Sequence, residues 1–163
     1  MQTNPDLTPI ATGTPASVGV AVGAVAFDPD RALQMARSGR AVILLRRTAE
    51  TEDIEALATV AGLVTAEGAR TSHAAVVARQ LGKPCIVACS GLSIDLSGRR
   101  ATLGSGQAAE GDLVSIDASS GLVFEGELEI MRTRPTELIA EIRSWRNAAP
   151  AVNCGNKLQG SAV

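Results

Sequence analysis

The first half of the chain alternates between short apolar runs and segments that have polar caps and helical spacing. The apolar runs predict strands at 20–27, 41–45, 61–66 and 85–88. The intervening segments predict helices over 31–37, over roughly 51–60, and from about residue 72 to the C-capping Gly82. Strands that alternate with helices in this way are typical of an α/β core with parallel pairing.

The second half of the chain has a different pattern. Beyond Gly91, apolar segments separated by glycines predict short strands at 92–96, 100–103 and 112–117. Turn-forming residues at 117–121 come directly before another apolar segment at 122–125, which predicts a hairpin. Near the N-terminus, the glycines, proline and serine of 13–19 predict turns ahead of the first strand.

The two ends of the chain differ from the part between them. Residues 1–9 are polar and interrupted by proline, and we expect them to be disordered. Within 128–163, apolar residues spaced along one helix face predict a helix, and we expect the small and polar residues after it to form a flexible tail. The folded domain is therefore predicted over 10–127.

Composition limits the classes of function that fit this chain. A length of 163 residues fits one domain, and 45% hydrophobic residues with only 2% aromatic ones predict a core of Ala, Val, Leu and Ile. With a net charge of −2, the chain does not have the basic character of nucleic-acid-binding proteins. No apolar run has the length of a membrane span. We therefore expect a cytoplasmic protein without a nucleic-acid or membrane partner.

Two groups of residues resemble metal ligands but do not support a metal site. The three cysteines have no zinc-binding spacing, and we expect Cys85 and Cys89 to be buried thiols on the same side of one strand. Four acids in 50–55 come at the predicted start of a helix, where negative charge complements the helix dipole. We expect this chain to bind no metal or cofactor of its own.

The candidate chemistry is concentrated at His73, the one histidine in the sequence. It follows a predicted strand and a loop that contains Gly68, and either Thr71 or Ser72 is a suitable N-cap for the helix that follows. The free N–H groups at a helix start favour a bound anion, and Gly68 gives such an anion access to the loop backbone. Neutral imidazole is also a competent nucleophile near neutral pH. These features predict a phosphohistidine site. The alternative is that His73 is only a surface residue beside an ordinary loop and helix cap, because such a residue would have the same sequence.

The motif Gly68-Ala-Arg-Thr-Ser-His73-Ala-Ala-Val-Val-Ala-Arg79 resembles the phosphohistidine motif of the PEP-utilising enzymes. That family includes pyruvate phosphate dikinase, phosphoenolpyruvate synthase and enzyme I of the sugar phosphotransferase system. The similar region is their mobile domain, and it extends from about residue 10 to Gly126. This chain has Ala69 where the family usually has a second glycine, which predicts a loop of slightly different shape or stiffness.

The resemblance implies a compact swivelling β/β/α domain with a phosphohistidine loop at a helix N-terminus. It implies that His73 is the nucleophile and phosphoryl carrier, that Thr71 and Ser72 hold phosphoryl oxygens or cap the helix, and that Gly68 and Arg70 help to bind phosphate. It also implies partner domains, namely a PEP/pyruvate-binding barrel and a nucleotide-binding or other phosphoacceptor domain. Mg²⁺ is expected at those partner sites, so the chain would be catalytic only together with them.

Two other interpretations remain open from the sequence. The chain could be an interaction module that keeps the swivelling fold without the chemistry, or a structural fragment of a longer dikinase-like enzyme. The intact Thr71-Ser72-His73 sequence argues against the first, and the linker-like residues after 127 favour the second.

Overall fold

The computed structural model describes residues 8–128. The helix and flexible tail predicted within 128–163, and the disorder predicted for 1–9, lie outside the described residues except at their inner ends.

The described part of the chain contains three helices and ten strands. The helices are α1 (Pro29–Arg37), α2 (Asp53–Thr59) and α3 (His73–Gln80). The strands are β1 (Ala11–Ser17), β2 (Val20–Ala26), β3 (Val42–Arg46), β4 (Gly62–Thr65), β5 (Cys85–Ser90), β6 (Leu92–Asp95), β7 (Arg100–Leu103), β8 (Gly106–Ala109), β9 (Leu113–Asp117) and β10 (Leu122–Glu125).

Seven strands form a closed barrel in the order β1-β10-β9-β2-β3-β4-β5, and β6, β7 and β8 form a separate antiparallel sheet. Strands β2, β3, β4 and β5 pair in parallel, as their alternation with helices predicts. The predicted hairpin of β9 and β10 is present, and β1 closes the barrel by pairing antiparallel with β5 and β10. The α/β class is therefore confirmed.

The continuous apolar run of β3 is explained by burial on both faces. Ile43 and Leu45 belong to a core cluster inside the barrel, whereas Val42 and Leu44 pack in a second cluster with the helices. Alanines form much of the barrel-facing side of α3, and their small side chains let the helix approach the strands closely. Just beyond this helix, Gly82 has a φ of +66°, as predicted for a terminating glycine.

The prediction that Cys85 and Cys89 lie on the same side of β5 is wrong. Cys85 belongs to the helix-facing cluster and Cys89 to the cluster inside the barrel, so the two thiols lie on opposite faces. Ala88 between them has a φ of +49°, and Thr12 and Thr14 of β1 pair with Ser90 and Val87. The extra residue of β5 forms a bulge, which reverses the alternation of side chains beyond it.

The sequence did not predict β1 or β8. Gly13 and Pro15 suggest a turn, yet both lie within β1. Gly13 is required by close packing, because a Cβ there would lie 2.5 Å from Cγ2 of Ile86. Strand β8 has few strand-forming side chains of its own and is defined by its pairing with β7.

Burial predicts that both cysteines of β5 are unreactive. It raises the pKa of the Cys85 thiol to about 12 and that of Cys89 to about 11. In a Cys154→Ser background, we expect no labelling of the native protein by a thiol reagent at pH 8 and complete labelling after denaturation. Because the unfolded thiols ionise first, stability should also fall as pH rises above about 8.5. Rapid labelling of either thiol in the native state would contradict this account.

Candidate functional site

The loop that bears His73 begins at the carboxyl end of β4 and continues the pairing of that strand. The N–H of Ala66 donates to the carbonyl of Arg46 at 3.0 Å, and the N–H of Glu67 donates to the carbonyl of Arg47 at 2.8 Å. The Arg47 guanidinium also lies 3.0 Å from the Glu67 carboxylate, although both side chains are largely exposed. The start of the loop is therefore held mainly by backbone hydrogen bonds to the extension of β3.

Gly68 turns the loop away from the sheet. Its φ of +128° is a conformation that L side chains rarely adopt. A Cβ at this position would have ordinary contacts only, at 3.6 Å from Oγ1 of Thr65 and 3.9 Å from Cβ of Val87. The glycine is thus required by backbone conformation and not by lack of space.

Ala69 does not occupy a conformation that needs glycine. Among the described residues other than glycine, positive φ occurs at Ala88 and Arg99 alone. The backbone of this loop therefore accepts a side chain at position 69 without strain from a positive φ.

Ser72 is the N-cap of α3, which resolves one alternative left open by the sequence. Its Oγ accepts a hydrogen bond from the N–H of Ala75 at 3.4 Å, and its own N–H donates to the carbonyl of Ala69 at 2.9 Å. Thr71 is exposed and precedes the cap. His73 is the first residue of α3 and is exposed. The N–H groups of His73 and Ala74 lie in the helical turn that has no intrahelical acceptor.

Arg79 holds the far side of the loop. Its Nη2 donates to the backbone carbonyl of Arg70 at 2.8 Å. The Arg70 side chain is exposed, so the observed role of this residue is its carbonyl and not its guanidinium. In the sequence, Arg79 is only the last residue of the motif. Its position seven residues after the N-cap, about two helical turns, places it on the same helix face and indicates that it can reach back to the loop.

The structure brings Gly68, Arg70, Thr71, Ser72 and His73 into one short loop and helix start, as expected from their adjacency in sequence. Thr65 lies directly below the loop, buried at the end of β4, and the sequence did not single it out. A hydroxyl-bearing residue at the end of an otherwise apolar strand is the feature that could have indicated it.

The acids of the 50–55 segment have structural contacts. Asp53 and Glu55 lie in the first turn of α2, as predicted. Asp53 is buried, accepts a hydrogen bond from the N–H of Glu50 at 2.8 Å and lies 3.1 Å from Nε of Arg46. Within residues 8–128, no three or more His, Cys, Asp or Glu side chains are grouped as metal ligands.

No helix within residues 8–128 is long and apolar enough to cross a membrane.

The sequence model of the family described as "PEP-utilising enzyme, mobile domain" matches residues 39–121. The chain belongs to this family. The matched residues run from just before β3 through β9 and include the whole loop and α3. The compact β/β/α fold expected of a swivelling mobile domain is thus confirmed.

Relatives of this mobile domain include pyruvate, phosphate dikinases. The Entamoeba histolytica enzyme is 44% identical over 122 residues, which cover 75% of this chain and 14% of that protein. The Rhizobium meliloti enzyme is 36% identical over 140 residues, which cover 86% of this chain and 16% of that protein. The mobile domain described here therefore spans about one seventh of the length of these curated relatives.

A likeness to one solved structure is weaker. The N-terminal domain of Enzyme 1 - Nitrogen aligns over 83% of this chain and 99% of its own, with 12% identity and a TM-score of 0.49.

The unusual backbone of Gly68 generates a prediction for this mobile domain. The change Gly68→Ala should destabilise the native state by about 1–3 kcal/mol, because alanine must either adopt a strained φ or move the loop. Ala69→Gly is the matched control, and it should change stability by less than about 1 kcal/mol. Urea unfolding of the three proteins measures both effects. Equal stability of Gly68→Ala and the parent protein would contradict the assigned loop conformation.

Proposed function

We propose that this chain is the phosphocarrier domain of a dikinase-like phosphotransferase, with His73 as the residue that carries the phosphoryl group. The observation that supports this most strongly is the position of His73 within a domain that belongs to the PEP-utilising mobile domain family. His73 is exposed at the first residue of a helix, directly after a loop that is held by backbone hydrogen bonds on one side and by the Arg79 guanidinium on the other.

The transfer consists of two displacements at phosphorus. In the first, a neutral ring nitrogen of His73 attacks the donor phosphorus, so that an N–P bond forms and a donor P–O bond breaks. The electron pair of the broken bond leaves on the donor oxygen, which is the enolate oxygen of pyruvate when PEP is the donor. In the second, an acceptor oxygen attacks phosphorus, and the N–P electron pair returns to the imidazole.

The helix start supplies groups that suit a phosphoryl anion. The N–H groups of His73 and Ala74 and the positive end of the helix dipole favour negative charge at this place. Because the Ser72 hydroxyl already caps α3, we assign the exposed Thr71 hydroxyl as the donor that can turn towards phosphoryl oxygens. We assign the Arg70 guanidinium a weaker attraction for the phosphoryl group, because its side chain is exposed and solvent screens its charge.

The proposed donor and acceptor sites lie on partner domains. The chain spans only 14% to 16% of the length of the dikinases compared above. We propose that a PEP/pyruvate-binding barrel and a nucleotide-binding or other phosphoacceptor domain, on another chain or in a longer parent protein, exchange the phosphoryl group with His73. Mg²⁺ at those sites would neutralise the transferred charge. The proposal places the reaction in the cytoplasm, where buried free thiols such as Cys85 and Cys89 are common.

The direct test of the proposal is phosphorylation of His73. The chain is incubated with PEP, Mg²⁺ and a dikinase relative whose own phosphohistidine has been replaced by alanine, and its intact mass is measured at neutral to alkaline pH. We expect a gain of one phosphate that maps to His73 and is lost in His73→Ala. Because His73 is exposed, its removal should change the free energy of unfolding by no more than about 0.5 kcal/mol.

Gln80→Ala is the matched control, since Gln80 is an exposed residue at the other end of the same helix. It should accept phosphate like the parent protein. Phosphate uptake by His73→Ala would contradict the assigned carrier residue. Failure of the parent protein to accept phosphate would favour an interaction module that keeps only the fold.

A further inference from the structure

Thr65 has a buried hydroxyl without a hydrogen-bond partner. It is the last residue of β4, its exposed fraction is 1%, and Oγ1 has no partner among the described residues. Two other buried oxygens share this property, on Asp53 and Glu110, but each lies 3.1 Å from an arginine nitrogen.

The contrast with Ser115 shows how this fold normally treats a buried hydroxyl. Ser115 is fully buried on β9, and its Oγ donates to the carbonyl of Gly126 at 2.6 Å and accepts from the N–H of Leu128 at 2.7 Å. A buried hydroxyl that lacks such bonds disfavours the conformation in which it lacks them. The Thr65 hydroxyl therefore favours any other conformation in which it gains a partner.

Thr65 lies beneath the loop that bears His73. Its neighbour two residues earlier, Leu63, belongs to the helix-facing cluster, and alternation along β4 puts the Thr65 side chain on that same face. A Cβ on Gly68 would lie 3.6 Å from Oγ1 of Thr65, and the next neighbour there is the apolar Val87. The Thr65 hydroxyl thus lies close to the loop backbone at Gly68.

Phosphorylation would reorient these backbone groups. A phosphoryl group on His73 attracts loop N–H groups towards the outer side of the loop. Because N–H and C=O point in opposite directions across a planar peptide, a peptide that turns its N–H outward turns the neighbouring C=O inward. Gly68 permits such a turn, since glycine adopts backbone conformations that other residues do not.

We propose that Thr65 is a positioning residue for the phosphorylated state, in which its hydroxyl donates to an inward-turned carbonyl of the loop. The inference rests on the proposed phosphocarrier function. The phosphorylated chain, called loaded below, then has one hydrogen bond that the unphosphorylated, or unloaded, chain lacks. This hydrogen bond makes the loop favour the loaded state. Thr65 touches neither the donor nor the acceptor, so its effect is on how much phosphohistidine is present at equilibrium.

The test uses Thr65→Val, which removes the hydroxyl and keeps the side-chain shape. The chain, PEP, pyruvate, Mg²⁺ and the dikinase relative described above are brought to equilibrium, and the loaded fraction is measured by intact mass. Because a catalyst does not change an equilibrium, the result reports on the chain itself. We expect the ratio of loaded to unloaded chain to fall about fivefold, the effect of one hydrogen bond. The melting temperature of the unloaded variant should be unchanged or raised by about 2–5 °C.

Two variants separate this role from a structural one. Thr65→Ser keeps the hydroxyl and should keep the loaded ratio of the parent protein within about twofold. Ser115→Ala removes a buried hydroxyl that is already bonded, so it should lower the melting temperature without changing the loaded ratio.

The outcomes distinguish this inference from the function on which it rests. A parent protein that takes up no phosphate would overturn the carrier function and the role of Thr65 together. A parent protein that loads, with a Thr65→Val variant that loads equally, would overturn the role of Thr65 alone. A lower melting temperature for unloaded Thr65→Val would also overturn it, because the hydroxyl would then already be bonded before phosphorylation.

Discussion

Parallel pairing between β3 and β4 extends beyond the end of β4, and the position of the loop that bears His73 depends on it. Two backbone hydrogen bonds, from Ala66 and Glu67 to the carbonyls of Arg46 and Arg47, carry the ladder into the loop. At the other end of the loop, Arg79 binds the carbonyl of Arg70. The loop is thus fixed where it leaves the barrel and where it enters α3, and Gly68 lies between the two attachments.

The barrel supports this arrangement with small aliphatic side chains. Strands that are buried on both faces carry β-branched and leucine side chains, and alanines on α3 let the helix lie close to them. The helix α3 packs against β1 and β5. His73 is consequently exposed at the start of a helix that packs against the barrel, which suits the proposed exchange with two partner sites in turn.

Local signals were sufficient for much of the fold and for part of the site. Apolar runs located β2 to β5, and capping residues located the start of α3, because both depend on neighbours in sequence. Strand β1 was missed because Gly13 and Pro15 suggest a turn, whereas long-range pairing with β5 and β10 decides its conformation. The opposite faces of Cys85 and Cys89, the Arg79 contact and the buried Thr65 hydroxyl likewise depend on tertiary structure.

The central claim, that His73 gives back the phosphoryl group it receives, is tested most directly by isotope exchange. Labelled pyruvate and unlabelled PEP are incubated with Mg²⁺, the chain and a dikinase relative that lacks its own phosphohistidine. The account predicts that label enters PEP only when this chain is present and that His73→Ala stops the exchange. Absence of exchange with a chain shown to carry phosphate on His73, or exchange that persists without His73, would contradict it.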